Sequence, residues 1–97
     1  VTILFNDNCF GNVKRNQKER YNERYLCSDL LNPDFMKLAE SFGMKGYRVN
    51  SPETLKTAME GAFSENGPVL IEVEVGEMGS LWPYMPLKVV KSNLPSD

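Results

Sequence analysis

The sequence contains no histidine and only two cysteines, Cys9 and Cys27, among its 97 residues. The absence of histidine excludes Ser-His-Asp and Cys-His nucleophilic arrangements from this chain. It also removes the usual companion ligand of zinc, and the two cysteines are too few and too widely spaced for a zinc site. Any general base here must therefore be a carboxylate or a lysine, and reduced thiols are the simplest state of the cysteines.

The chain also lacks an excess of positive charge and a long apolar run. Its formal charge is -2 and its pI is about 5.1, so it has no global attraction to nucleic acid or to anionic membranes. No run approaches the roughly 18 apolar residues of a membrane span, and no signal-peptide pattern is present. The basic residues of segment 12–26 alternate with acidic ones, which indicates a solvated face. We expect a cytoplasmic protein without nucleic-acid or membrane partners.

A chain of this length forms one small domain at most, with a core that is marginal alone. It begins inside the apolar run 1–5 without a methionine, so we expect a piece of a longer protein. Residues 77–97 have no periodicity and are predicted to form an extended arm. Its apolar side chains around Trp82 and Pro86 are expected to be covered by a partner domain or subunit. We therefore expect a homo-oligomer.

Three segments predict β-strands: 1–5, 46–50 and 69–75. The first is continuously apolar apart from one threonine, so we predict a fully buried strand of a parallel sheet. The third alternates towards its end, where Glu72 and Glu74 are expected to be solvated positions on one face of the strand.

Two helix starts are marked by a capping residue followed by proline, Asn32-Pro33 and Ser51-Pro52. Gly43 is expected to end the first of these helices, and another helix is predicted in the first half of segment 12–26. The order β-α-β-α-β predicts an α/β fold, a parallel, doubly wound sheet with helices on both faces. The predicted apolar stripes consist of Phe35, Leu38, Ala39 and Phe42 in one helix and Leu55, Ala58, Met59, Ala62 and Phe63 in the other.

A polar motif, Asn6-Asp7-Asn8-Cys9-Phe10-Gly11, follows the first strand directly. Ligands of parallel α/β sheets bind at the carboxyl ends of strands, where helix N-termini direct N–H groups into a crevice. Asp7 is therefore the first candidate for a functional residue. Asn6 and Asp7 are also frequent in simple Asx turns, and the residues alone leave both interpretations open.

The motif and the segments after it resemble the C-terminal part of the thiamine-diphosphate-binding domain of acetolactate synthase-like enzymes, over residues 1 to about 76. The resemblance implies a flavodoxin-like domain at 1–76, followed by the arm at 77–97. The similar segments are 5–13, Gln17, Tyr21, Asp29-Leu30, Asn32-Pro33-Asp34-Phe35, Leu38-Ala39, Phe42-Gly43, Arg48-Val49 and 67–73.

In that family the cofactor motif opens with Gly-Asp-Gly on an earlier strand and closes about 25 to 30 residues later with Asn-Asn or Asn-Asp. This chain contains only the closing half. The resemblance implies that Asp7 binds Mg²⁺ through its side chain and Cys9 through its backbone carbonyl. It further implies that Asn6, Phe10 and Gly11 bind thiamine diphosphate. Hard oxygen ligands of this kind suit Mg²⁺, which commonly bridges phosphate groups.

Val13 occupies the position of a catalytic glutamate in pyruvate decarboxylase-like relatives, which favours carboligase or other 2-oxo acid chemistry over simple decarboxylation of pyruvate. The resemblance thus implies a fragment of a thiamine-diphosphate- and Mg²⁺-dependent carboligase or decarboxylase acting on a small 2-oxo acid. In the family a separate domain, usually of a neighbouring subunit, supplies the glutamate that activates the cofactor, so the fragment alone is predicted to be inactive. The alternative is a non-catalytic flavodoxin-like binding or interaction module.

Overall fold

A computed structural model describes residues 1–80 and 82–84. The elements in chain order are β1 (Thr2–Asn6), α1 (Gly11–Arg20), α2 (Phe35–Ser41), β2 (Lys45–Val49), α3 (Pro52–Ser64) and β3 (Val69–Glu74), followed by a 3₁₀ turn at Trp82–Tyr84. The predicted α/β class is confirmed. Most of the predicted arm lies outside the described residues, so that assignment stays a prediction. No helix in the described part of the chain is long and apolar enough to cross a membrane.

The three strands form a parallel sheet in the order β1-β3-β2, so the last strand of the chain is the central one. Residues in register across a parallel sheet point to the same face, and successive residues of a strand point to opposite faces. Ile3 is in register with Ile71, which is in register with Tyr47 on the other side. The sheet therefore has two faces, and other parts of the fold must cover each of them.

Helix α3 covers the face that carries Ile71. The core of this face consists of Val49, Ala58, Ala62, Val69, Ile71 and Val73. The helix begins as predicted, because Ser51 accepts a hydrogen bond from the Thr54 N–H at 3.2 Å and the Thr54 hydroxyl accepts one from the Ser51 N–H at 3.2 Å. Phe63, expected in the buried stripe, is instead 71% exposed. It follows Ala62 by about 100° around the helix axis, which turns it away from the line of small residues against the sheet.

Helix α2 packs on the opposite face of β2 and β3, so the prediction of helices on both faces is confirmed. Ala39 is buried there, and a Cβ at Gly46 would lie 3.0 Å from the sulfur of Met36. Gly43 has φ +70° and ends the helix as expected. Phe42, the last member of the predicted stripe, is exposed.

The start of α2 differs from the prediction, because Asp34 and not Asn32 is the capping residue. Asp34 Oδ1 accepts the backbone N–H groups of Met36 and Lys37 at 3.0 and 3.3 Å. The Asn32 side chain donates instead to Asn6 Oδ1 at 2.9 Å, so it is not available to cap the helix.

The cap makes the stability of α2 depend on pH. Hydrogen bonds from the Lys37 and Met36 N–H groups hold the pKa of Asp34 below its ordinary value of 3.8. A group with a depressed pKa stabilises the fold above its unfolded pKa, and this contribution is lost as the pH falls through the folded value. We expect Asp34→Asn to reduce stability at pH 7 and this difference to shrink as the pH falls below 3.8 and through the lowered pKa of Asp34. Urea unfolding across that range measures it, and a constant difference would contradict it.

Strand β1 was predicted to be fully buried, and this is wrong for the described residues. Val1, Ile3 and Phe5 are exposed, Phe5 to 59%. The physical reason is position: β1 is an edge strand that pairs only with β3, and within the described residues neither α2 nor α3 contacts it. A continuous apolar run is typical of a strand covered on both faces, and the described residues leave one face of β1 uncovered.

Candidate site at the carboxyl edge of the sheet

Two successive Asx turns form the connection between β1 and α1. Asn6 Oδ1 accepts the Asn8 N–H at 3.0 Å, and Asp7 Oδ1 accepts the Cys9 N–H at 3.3 Å. Asn8 lies in the left-handed region with φ 56°, which asparagine tolerates better than most residues. The Asx interpretation therefore holds for the local structure. For Asp7 this interpretation is compatible with a ligand role, because the turn uses only one of the two carboxylate oxygens.

The second carboxylate oxygen of Asp7 lies beside the first residue of α1. A Cβ at Gly11 would be 2.8 Å from Asp7 Oδ2, closer than such atoms can approach without displacement. The glycine therefore leaves room for the carboxylate at this point. The positive end of the α1 dipole favours negative charge here.

Residues 28–30 hold the turn from the other side. The Phe10 N–H donates to the Ser28 carbonyl, and the Leu30 N–H donates to the Asn8 carbonyl, both at 2.8 Å. The carbonyl of Cys9 accepts no hydrogen bond from the residues that the structure describes. It is thus a backbone oxygen with spare accepting capacity next to Asp7.

An open pocket with a volume of about 210 Å³ adjoins the turn. Of the residues that the resemblance assigns to the cofactor and the metal, Asp7, Cys9 and Gly11 line this pocket, whereas Asn6 and Phe10 do not. The remaining wall comes from α1, the segment after it, and the chain beyond β3. Its members are Lys14, Arg15, Lys18, Tyr25, Gly76, Glu77 and Met78.

The basic side chains of this wall already have partners. Lys14 pairs with Asp29, and Lys18 Nζ lies 2.8 Å from Glu77 Oε1. The second pair raises the pKa of Lys18 and lowers that of Glu77, so both stay charged at neutral pH. These pairs fit the predicted solvated face better than a surface for nucleic acid.

The thiol of Cys9 is not in the deprotonated state in which a cysteine binds a metal. Desolvation and the neighbouring Asp7 carboxylate raise its pKa above the ordinary value of 9.0, so it stays protonated at neutral pH. A thiol in this state is a poor ligand. The described residues also contain no group of three or more acidic, cysteine or histidine side chains arranged for a metal ion. Any metal here would therefore rely on Asp7, on backbone oxygens and on groups from elsewhere.

Glu72, which we predicted to be solvated, is only 3% exposed. Its Oε1 accepts a hydrogen bond from Asn6 Nδ2 at 2.9 Å, and its Oε2 accepts one from Arg48 Nε at 2.8 Å. The alternation was correct, but the face that carries Glu72 is covered by α2. Arg48 lies in register with Glu72 on the neighbouring strand. In the sequence, the only sign of a paired carboxylate was this arginine on another predicted strand. Glu74 is exposed, as expected.

Asn6 is buried at the centre of this polar cluster. Besides its bonds to Asn8 and Glu72, its Oδ1 accepts the side-chain N–H of Asn32 at 2.9 Å. The side chain of Asn6 thus points into the fold beneath the turn. Phe10, by contrast, is exposed.

The structure therefore presents a carboxylate oxygen, a carbonyl oxygen and a helix start together at the carboxyl edge of a parallel sheet. Hard oxygen donors of this kind match the preference of Mg²⁺, and a helix start suits a phosphate group. Such a fold defines a parallel α/β domain whose oxygen atoms and helix start lie where domains of this class bind ligands.

The chain belongs to the family described as thiamine pyrophosphate enzyme, C-terminal TPP binding domain, which matches residues 1–73. Over 83 residues, or 86% of the chain, it is 41% identical to an acetolactate synthase catalytic subunit, mitochondrial, of Saccharomyces cerevisiae. It is 36% identical over 86% of its length to an acetolactate synthase large subunit of Pyropia yezoensis. It is 31% identical over 87% of its length to the acetolactate synthase isozyme 2 large subunit of Escherichia coli.

The matched regions cover only 12%, 14% and 16% of the length of these three relatives. The resemblance seen in the sequence is thereby confirmed, and the cofactor of the family is thiamine diphosphate. The chain corresponds to a small part of each relative.

Proposed function

We propose that this chain supplies the metal-binding and diphosphate-binding half of a cofactor site in a thiamine-diphosphate- and Mg²⁺-dependent carboligase or decarboxylase. The observation that carries the proposal is the pair of oxygens at the turn. Asp7 Oδ2 and the Cys9 carbonyl accept no N–H group from the described residues and lie beside the start of α1. The family match supports the identity of the group they would hold.

Each residue of the turn has a distinct role in this proposal. Asp7 would bind Mg²⁺ through its side chain, and Cys9 through its carbonyl oxygen. Gly11 leaves room for the carboxylate and for an approaching diphosphate, and Phe10 would lie against that diphosphate. Asn6 would act from beneath the turn, because its side chain is held inside the fold. When bound, thiamine diphosphate supplies the carbanion-stabilising chemistry, and these residues only hold it in place.

We further propose a small 2-oxo acid as substrate and carboligation in preference to simple decarboxylation. Val13, an exposed apolar residue on α1, has no carboxylate to move a proton. The relatives are named acetolactate synthases, which supports the same choice. The activating glutamate would come from another domain of the enzyme, so an oligomer is expected and residues 1–97 alone should be inactive. The cytoplasmic location stays a prediction, since the relative from Saccharomyces cerevisiae is named mitochondrial.

Calorimetric titration with thiamine diphosphate, with and without Mg²⁺, tests the proposal on the whole protein as its gene encodes it. We expect tight binding only when Mg²⁺ is present, because the turn offers oxygen ligands for the metal and few positive charges for bare diphosphate. Thiamine without the diphosphate is the matched control and should show no dependence on Mg²⁺. Absence of binding would favour the flavodoxin-like interaction module. Turnover of pyruvate by residues 1–97 alone would contradict the predicted need for other domains.

A further inference from the structure

Glu72 and Arg48, in the buried cluster beneath the turn, have no assigned role in the proposed site. Glu72 is among the most buried charged side chains of the described chain, although it lies on the central strand and not in the pocket. A buried carboxylate is costly unless hydrogen bonds and an opposite charge compensate it. Asn6 and Arg48 provide that compensation.

Glu72 determines which way the amide of Asn6 points. A carboxylate only accepts hydrogen bonds, so it requires the Nδ2 end of Asn6 on its side. The Oδ1 end then faces the Asn8 N–H at 3.0 Å and the Asn32 side chain at 2.9 Å. The reverse orientation would place oxygen against oxygen and N–H against N–H. The hydrogen-bond network thus assigns one orientation of Asn6.

This orientation sets the shape of the turn. The bond from the Asn8 N–H to Asn6 Oδ1 closes the first Asx turn, and Asn8 then adopts its left-handed conformation. The second Asx turn, from Cys9 to Asp7, starts one residue later and overlaps it. The Asp7 carboxylate and the Cys9 carbonyl are therefore placed by a chain of contacts that begins at Glu72.

Arg48 fixes Glu72 from the opposite side. Its Nε donates to Glu72 Oε2, while its Nη2 donates to Asp34 Oδ1, the cap of α2, at 3.1 Å. The guanidinium presents its N–H groups in a rigid fork, so the two carboxylates are held at a set spacing. The carboxylate of Glu72 is thus fixed by β2 and α2 and is presented to Asn6 on β1.

The geometry points to Glu72 as a positioning residue for the metal-binding turn, acting through Asn6. This inference rests on the proposed function, because the turn is assigned to Mg²⁺ there. Partners that orient the ligands of a metal commonly affect affinity by about 10- to 100-fold when removed. Glu72 would belong to this group although it never touches the metal or the cofactor.

Glu72→Gln tests the inference in the whole protein. The variant keeps the size of the side chain but replaces one carboxylate oxygen with an NH₂ group. Either Asn6 or Arg48 then faces an N–H group in place of the oxygen to which it donated. We expect the Mg²⁺ concentration that half-saturates thiamine diphosphate binding to rise by about 10- to 100-fold. Affinity for thiamine diphosphate at saturating Mg²⁺ should stay unchanged. Calorimetry well below the unfolding midpoint measures both quantities, and a general loosening of the domain would weaken both.

Glu74→Gln is the matched control, because Glu74 lies on the same strand and face but is exposed, with its nearest Arg48 contact at 3.7 Å. It should leave both quantities unchanged. Asn6→Ala removes the same hydrogen bond from the other end, so combining it with Glu72→Gln should add little further effect. Additive effects would overturn the route through Asn6. If Glu72→Gln fails to fold, an unchanged Mg²⁺ requirement in Asn6→Ala would overturn the inference.

The two levels of the proposal fail differently. If the wild-type protein binds thiamine diphosphate without needing Mg²⁺, the proposed function is wrong. If the wild type needs Mg²⁺ and Asp7→Ala abolishes that need, but Glu72→Gln behaves like the wild type, only the positioning role of Glu72 is wrong.

Discussion

Replacing Asp7 by alanine is expected to weaken Mg²⁺-dependent binding of thiamine diphosphate by more than about 100-fold, the upper end of the effects seen when a partner around a metal site is removed. The reason is that Asp7 would contribute the carboxylate of the proposed site, and the described residues contain no cluster of three or more acidic, cysteine or histidine side chains that could replace it. The substitution also removes the hydrogen bond to the Cys9 N–H, which places the carbonyl of the same residue. Calorimetry of the whole protein at several Mg²⁺ concentrations measures the effect.

Asp7→Asn is the matched control for this prediction. Asparagine keeps one side-chain oxygen that can bind the metal, and Asn-Asn is one of the two endings of the motif in the resembling family. We expect it to retain Mg²⁺-dependent binding, with a change much smaller than that of alanine. Mg²⁺-dependent affinity that is the same in Asp7→Ala and in the wild type would remove Asp7 from the site.

Truncation of Ile71 to alanine is expected to lower the free energy of unfolding of residues 1–97 by about 2 to 5 kcal/mol, the usual cost of removing a large buried side chain. Ile71 is 0% exposed and lies at the centre of the middle strand, against α3. A domain of this size has little stability to spare. Urea unfolding followed by circular dichroism measures the loss of stability. Absence of a cooperative transition would mean that the variant no longer folds.

Ile3→Ala provides a control in the same register and on the same face of the sheet. Ile3 is 38% exposed, so less apolar area returns to water and less cavity forms when it is shortened. We expect it to cost well under half as much as Ile71→Ala in residues 1–97. An equal cost would contradict the exposure of β1 in this chain.

Most of the fold follows from local signals in the sequence. Ser51 and Pro52 predict the start of α3 correctly because the cap, the proline and the apolar spacing all agree. Gly43 likewise ends α2 because only a residue without a Cβ adopts that conformation freely. The start of α2 was misplaced by two residues, since Asn32 and Asp34 are equally good caps on local grounds. The choice depends on Asn6, which is 26 residues from Asn32 in sequence.

The candidate site was only partly predictable for the same reason. The positions of Asp7, Cys9 and Gly11 follow from the strand end and the family motif. Glu72 was missed because alternation reveals which face a residue occupies but not whether a helix covers that face. The exposure of β1 was missed because apolar composition does not reveal whether a strand is central or at an edge.

The strand order also constrains how the domain assembles during synthesis. Among the described strands β1 and β2 do not pair with each other, and both depend on β3, which comes last of the three in the sequence. Asn6 must wait for Glu72, 66 residues later, before its amide is fixed. Contacts so distant in sequence make folding slow, because a long loop must close before any pairing stabilises it. Until Val69 and the residues after it are synthesised, β1 and β2 therefore lack the strand that joins them, and Asn6 lacks the carboxylate that fixes its amide.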